Sequence, residues 1–195
     1  MLGLPYESST ASDLFAVQVG CFAVTEVWIR VRTRRGTPSS DDRGSRLAIA
    51  LGIGLGVASA ILVAAHWSGG SLPAPWAWFV AGLVVTAAGL ALRIWAVVSL
   101  GRFFTTQVRI ATDQSVVDTG PYRWVRHPSY SALLLELAGL GLAQTDWLSI
   151  LCAVVLPLPA LVWRIRIEES ALRAGLGSAY DAYAAGRRRL LPGVW

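Results

Sequence analysis

Apolar residues run in five blocks along the chain, at 14–31, 47–65, 76–98, 129–142 and 147–163, separated by polar or arginine-rich segments. A helix that crosses a bilayer needs about 20 consecutive apolar residues, with about 17 near the lower limit. The first three blocks meet this requirement. The fourth and fifth are shorter and are parted only by Ala143, Gln144, Thr145 and Asp146, which predicts a tight helical hairpin with both arms spanning. Beyond the fifth block, Leu172, Leu176, Tyr180 and Tyr183 recur at steps of 4, 4 and 3, the apolar stripe of a helix. An amphipathic tail helix is predicted there, with a break near Gly175 and Gly177 because glycine is a poor helix former. The fold class expected is all-α and integral to the membrane, with five transmembrane helices including a C-terminal hairpin. Residues 1–98 hold three N-terminal spans, and 99–195 form a second half in which the polar motifs lie.

Composition supports the membrane reading. Of 195 residues, 54% are hydrophobic and 15% charged, against about 25% charged in ordinary soluble domains. A small soluble domain has too much surface to bury that much apolar side chain, and the same apolar content is incompatible with disorder. The net charge is +5, and all 17 basic residues are arginine. They lie between the apolar blocks, without a basic stripe, zinc finger or RNA-binding signature, so no nucleic-acid partner is expected. Cys21 and Cys152 sit in separate apolar blocks with no second ligand at metal spacing. They read as reduced packing residues, and no metal is expected. Glu7 and Asp13 near the start replace the basic stretch of a cleaved signal peptide.

The arginines also predict orientation, because short cytoplasmic loops collect them. Arg32, Arg34, Arg35, Arg43 and Arg46 follow the first block, whereas 66–75 has no formal charge. Arg102, Arg109, Arg123 and Arg126 follow the third block, the hairpin turn has none, and Arg164, Arg166, Arg173, Arg187, Arg188 and Arg189 follow the fifth. The alternation places the N-terminus outside and the C-terminus in the cytoplasm. Both long polar segments then share the cytoplasmic face.

Three ionisable residues fall inside apolar blocks, where charge is costly and marks a functional candidate. At 1.5 Å per residue, Glu26 and Arg93 lie roughly 7 Å and Glu136 roughly 10 Å from the cytoplasmic ends of their blocks. Glu26 reads as a structural partner; Glu136 with Arg93 reads equally as an ion pair or as the floor of a polar pocket. Arg164 and Glu168, four apart on one helix, point the same way, and Glu169 about 100° aside. His127 stands just before Pro128, a proline well placed in the first turn of a helix. No dinucleotide fingerprint, phosphate loop or nucleophile elbow is present, so any cofactor must be held by loops and helix ends.

Gly120-Pro121-Tyr122-Arg123-x-x-Arg126-His127-Pro128-x-Tyr130 resembles the signature of the isoprenylcysteine carboxyl methyltransferase family. So does Glu168-Glu169, followed by Leu176-Gly177-x-x-Tyr180-x-x-Tyr183 and Arg189-Leu190-Leu191-Pro192. These motifs cover about residues 99–195, in family order and spacing. The resemblance implies S-adenosylmethionine-dependent methyl transfer at the membrane surface to a lipophilic or lipidated acceptor entering from the bilayer. By position, Val117, Gly120, Tyr122, His127, Pro128 and Tyr130 would line the cofactor pocket and Glu169 would take the methionine ammonium. Arg164 and Glu168 would face the acceptor as the catalytic pair. The sequence departs from the family at Ser131-Ala132, where relatives often have glycine close by, and at Leu176, where phenylalanine is usual. Carboxyl O-methylation is favoured. Phospholipid, amine N- or thiol S-methylation, a sterol-type membrane reductase and a non-catalytic membrane scaffold remain as alternatives.

Overall fold

The computed structural model describes residues 8–32, 44–67, 69–104, 115–191 and 195. Each predicted block is helical. The helices are α1 (Ser9–Arg32), α2 (Ser45–His66), α3 (Pro75–Leu100), α4 (Pro128–Ala143), α5 (Trp147–Val155), α6 (Leu158–Leu176) and α7 (Ser178–Ala185). Single 3-10 turns cover Gly101–Phe103 and Gly120–Arg123. Among the described residues, four helical stretches are long and apolar enough to cross a membrane: α1, α2, α3 with its following turn, and α5–α6 taken together. At 16 residues α4 is apolar but shorter, and a rise of 1.5 Å per residue carries it only about 24 Å. The protein is thus an all-helical membrane protein with four such stretches and one shorter apolar helix.

Close approach of α3 and α4 organises the bundle. Gly82, Thr86 and Gly89 on α3 meet Ala132, Glu136, Gly139 and Ala143 on α4. A Cβ placed on Gly89 would stand 2.8 Å from the Glu136 backbone nitrogen, and one on Gly82 would stand 2.7 Å from the Gly139 carbonyl oxygen. In lipid, helices gain little by burying oil against oil, so small residues that let backbones touch supply the packing. On the other side of the hairpin, Gly56 of α2 faces the Ala153 carbonyl of α5, and Ser149 Oγ donates to the Ala60 carbonyl at 2.9 Å.

The hairpin turn is as tight as expected. Thr145 adopts φ 57°, and Asp146 caps α5 by accepting from the Leu148 and Ser149 amides at 2.9 and 3.0 Å, which satisfies donors that have no partner within the helix. The fifth apolar block, however, is interrupted. Pro157 and Pro159 lack the N–H groups of a continuous ladder, and the chain restarts as α6 at Leu158. The tail breaks once, at Gly177 with φ 55°, between α6 and α7; Gly175 stays helical.

Large apolar side chains such as Val24, Leu51, Leu55, Val84 and Val98 are exposed on the outer faces of α1, α2 and α3, as a lipid-facing surface requires. Tryptophans gather at two levels. Trp67 and Trp147 stack edge-on at 5.8 Å beside the hairpin turn, and Trp95 and Trp124 do the same at 5.6 Å beside the polar motifs. Tryptophan is enriched at membrane–water interfaces, and these two pairs lie near opposite ends of α3.

Candidate active site

The site begins with the turn that enters α4. Gly120 has φ 57° and packs directly on Ser99, leaving no room for a Cβ, so glycine is required by both conformation and contact. The turn brings Tyr122 inward and leads to His127, the residue before α4, with Pro128 in the first helical turn.

The C-terminal tail then clamps this loop. Arg126 and His127 donate their amides to the Arg188 and Arg189 carbonyls at 2.8 and 2.9 Å. Tyr183 donates its hydroxyl to the Tyr122 carbonyl at 2.9 Å. Burial raises the Tyr183 phenol to about 12, with Arg187 and Arg126 opposing the rise. Burial, then the charge of Glu168, pushes the Tyr122 phenol well above its usual range, so both stay protonated at neutral pH.

Beneath the clamp lies a cavity of about 520 Å³, bordered by Val117, Tyr122, His127, Tyr130, Arg164 and Glu168. Arg164 is buried, and its Nε donates to Glu168 Oε1 at 2.8 Å while Nη1 donates to Ser45 Oγ at 3.0 Å. Tyr130 donates to the same Glu168 oxygen at 2.6 Å. His127 stands between the two carboxylates, with Nδ1 3.6 Å from Glu168 and Nε2 3.4 Å from Glu169. The ring also stacks on Tyr130 at a centroid distance of 5.9 Å.

Glu169 has a different setting from that expected. It is 1% exposed and does not border the cavity. Arg126 Nη1 reaches its Oε1 at 2.8 Å, Arg189 Nη2 its Oε2 at 3.1 Å, and Arg173 the same oxygen at 3.4 Å. The carboxylate is thus the centre of an ionic knot joining α6, the loop before α4 and the C-terminal strand of chain. Gly120 and Pro128 likewise shape the wall from behind without bordering the cavity.

Other lining residues could be read from the sequence only in part. Leu172, Leu176, Tyr180 and Tyr183 all face the cavity despite the break at Gly177, so the predicted stripe describes one wall carried by two helices. The Tyr180 hydroxyl is buried with no hydrogen-bond partner among the described residues. Glu26 and Arg93, singled out for their depth, border the cavity from α1 and α3, whereas Glu136 does not. Arg93 forms an ion pair with Glu26, donates to the Ser129 carbonyl at 3.1 Å and lies 4.0 Å from Glu136. Arg93 therefore joins an ion-paired cluster and a pocket wall at once. Among the described residues no group of three His, Cys, Asp or Glu side chains could hold a metal ion.

Fold and site together define a helical membrane protein with a polar, arginine-bearing cavity opening beside apolar helices. Residues 80–174 match the model of the isoprenylcysteine carboxyl methyltransferase (ICMT) family, which bears out the resemblance drawn from the motifs. A probable protein-S-isoprenylcysteine O-methyltransferase of Oryza sativa subsp. indica is 35% identical over 55% of this chain and 58% of its own length. The Arabidopsis thaliana protein-S-isoprenylcysteine O-methyltransferase B is 31% identical over 53% of each chain. The uncharacterized protein YpbQ of Bacillus subtilis (strain 168) is 28% identical over 51% of this chain and 59% of its own. The chain spans a little over half the length of these curated relatives. The solved structure of the eukaryotic intramembrane Ras methyltransferase ICMT superposes with a TM-score of 0.67 at 21% identity, over 100% of this chain and 70% of that one. At that identity the likeness concerns the fold.

Proposed function

We propose that the protein is an integral-membrane S-adenosylmethionine-dependent methyltransferase that esterifies the carboxylate of an isoprenylcysteine-like or other lipophilic acceptor. The observation that carries this reading is the Arg164–Glu168–Tyr130–His127 cluster in a cavity that Ile29 of α1 and Leu47, Ile49 and Ala50 of α2 also border. The cavity's 520 Å³ lies in the usual range of roughly 300–1,000 Å³ for small-molecule sites.

The residues fit the cofactor. Tyr122, Tyr180 and Tyr183 offer aromatic surface, and the orphaned Tyr180 hydroxyl offers a buried donor. Val117, Gly120, Tyr122, Pro128 and Tyr130 would shape its pocket, and Arg126 and His127 would meet its carboxylate. Glu169, held in its ionic knot, would act behind them by fixing the positions of Arg126 and His127. When bound, S-adenosylmethionine supplies an electrophilic methyl group.

The protein's task is then orientation. A carboxylate acceptor needs no base, and holding it in line can account for up to roughly 7–11 kcal/mol of the barrier. Arg164 suits this role because its planar fork grips a carboxylate with defined geometry, and its bonds to Glu168 and Ser45 hold the guanidinium still. A second reading, transfer to an amine or thiol, has one observation in its favour: the outer oxygen of Glu168 lies at the cavity 3.6 Å from His127 Nδ1, where it could receive a proton.

In the reading favoured here, α4 is a short fourth span and α5 with the start of α6 the fifth, with the N-terminus outside and the site cytoplasmic. Methyl-labelled S-adenosylmethionine incubated with the protein and lipophilic carboxylic acids should yield a base-labile product. Base-stable label would indicate nitrogen or sulfur. A protein that binds a nicotinamide dinucleotide and not S-adenosylhomocysteine would overturn the proposal.

A further inference from the structure

Glu26 is the one carboxylate that α1 and α2 bring to the cavity, where Arg30 and Arg46 are cationic and Ile29, Leu47, Ile49 and Ala50 apolar. It lies on the same face of α1 as Ile29 and Arg30, one turn further from the helix end, and all three border the cavity. Ile49 and Ala50 of α2 and Leu133 of α4 border the same cavity and suit an acyl or prenyl chain. One Glu26 oxygen is taken by Arg93. The Arg93 guanidinium is in turn fixed by the Ser129 carbonyl at 3.1 Å, in the first turn of α4. The second Glu26 oxygen has no hydrogen-bond partner among the described residues, and the side chain keeps 16% of its surface accessible. A carboxylate oxygen flanked by apolar side chains loses part of its hydration and gains from a ligand that donates to it.

We infer that the membrane-embedded part of the acceptor carries a hydrogen-bond donor, a hydroxyl or an amine, received by the second carboxylate oxygen of Glu26 in the Glu26–Arg93 pair. This rests on the proposed methyl transfer only for the word acceptor; the subsite itself is a matter of binding. The pair acts as a ruler. The acceptor's carboxylate sits near Arg164, its chain runs along Ile29, Ile49 and Leu133, and a donor at the right distance along that chain meets Glu26. A plain hydrocarbon chain would instead cover the carboxylate oxygen without satisfying it.

The test is equilibrium displacement of a fluorescent polyene fatty acid from the full chain in lipid nanodiscs. Competitors are long-chain carboxylic acids bearing a hydroxyl or an amine at successive positions, the matching methyl ethers and the unsubstituted acid. One positional isomer should bind about tenfold more tightly than both its methyl ether and the unsubstituted acid, as expected for a hydrogen bond to a charged group. Glu26→Leu should bring that ratio to near one. Because Glu26→Leu leaves Arg93 unpaired, Glu26→Gln provides the second arm: it should keep a hydroxyl preference and lose an amine preference. Equal binding of all isomers, ethers and the plain acid by the wild-type protein would overturn the inference. Methyl transfer is read separately as labelled ester. Ester formation without a binding preference removes the subsite and leaves the proposed activity standing, and a binding preference without ester does the reverse.

Discussion

Arg164 Nε lies 2.8 Å from Glu168 Oε1, one helical turn away on α6, and Tyr130 donates to that same oxygen at 2.6 Å. Two donors from different helices converge on one carboxylate oxygen. The guanidinium is thereby fixed at the cavity wall, with Ser45 of α2 holding its other end. In the proposed function, these bonds are what would let Arg164 hold a ligand carboxylate in one orientation.

Replacing Arg164 by lysine keeps the charge and loses the planar fork. The loss of a charge-assisted hydrogen bond is worth about 1.5–3 kcal/mol, so kcat/KM for a carboxylate acceptor should fall roughly ten- to a hundredfold. S-adenosylhomocysteine affinity should hardly change. Full activity of Arg164→Lys would reduce Arg164 to an interfacial anchor and remove the preference for a carboxylate.

Glu169 binds three guanidiniums while almost wholly buried. Glu169→Ala would strand Arg126, whose side chain is only 11% exposed. Breaking a buried pair from one side costs on the order of 3–5 kcal/mol. The variant should melt earlier in detergent and bind S-adenosylhomocysteine more weakly by calorimetry. Glu169→Gln, which retains an acceptor oxygen, should fall between. A variant with lowered affinity and unaltered melting would instead place Glu169 in direct contact with the cofactor.

The α3–α4 interface can be tested at its glycines. A methyl on Gly139 would run into Thr86 backbone and side chain, whereas Gly54, in the interior of α2, has nothing within 4 Å of its added Cβ. Gly139→Ala should destabilise by about 1–3 kcal/mol through overpacking. Gly54→Ala should be neutral or stabilising by up to about 1 kcal/mol. Unfolding in a lipid-compatible denaturant would rank them, and equal stabilities would contradict the interface.

The tail clamp has an alkaline limit. Burial, opposed by Arg187 and Arg126, raises the Tyr183 phenol from 10.0 to about 12. Above pH 10 the unfolded chain loses this proton while the folded chain keeps it. The contribution is therefore complete below pH 10 and is lost as pH rises through about 12. Protease susceptibility of the C-terminal tail should rise across that window, and Tyr183→Phe should flatten the change.

Orientation is open to chemical labelling. With Cys21 and Cys152 replaced by serine, a cysteine at Ser71 should react with an impermeant thiol reagent added outside intact cells, and one at Ser115 should be spared. The opposite pattern would invert the proposed topology and place the cavity on the outer face.

The hairpin at 143–146, the break at Gly177 and the tail stripe were legible because each has a local cause: loop length, a glycine with positive φ, and the 3.6-residue repeat. The split of the fifth block at Pro157 also has a local cause, two prolines, that a hydropathy pattern passes over. Arg164 and Glu168 could be named in advance because polar groups at a membrane boundary stand out against an apolar background, and Tyr130 and His127 because they fall in the motif that resembles the family's. Their mutual distances could not, since they depend on how α4 docks against α6. Glu169 shows the difference most sharply. The resemblance implied ligand contact for it, whereas the 100° step around the helix turns it toward Arg126, Arg173 and Arg189, which arrive from three separate places in the chain.

By itself, then, the sequence determined the helical class, the membrane setting and the residues able to do chemistry. These follow from side-chain transfer energies and local periodicity, quantities that neighbouring residues carry between them. Tertiary structure alone decided which carboxylate faces the cavity and which is locked away, and that Glu26 and Arg93 border the cavity while Glu136 stays outside it. Those outcomes turn on the close approach of α3 and α4 through their glycines, and on a tail that folds back over the loop before α4. Both are contacts between residues far apart in the chain, where a few ångströms decide whether a charge meets a ligand or another charge.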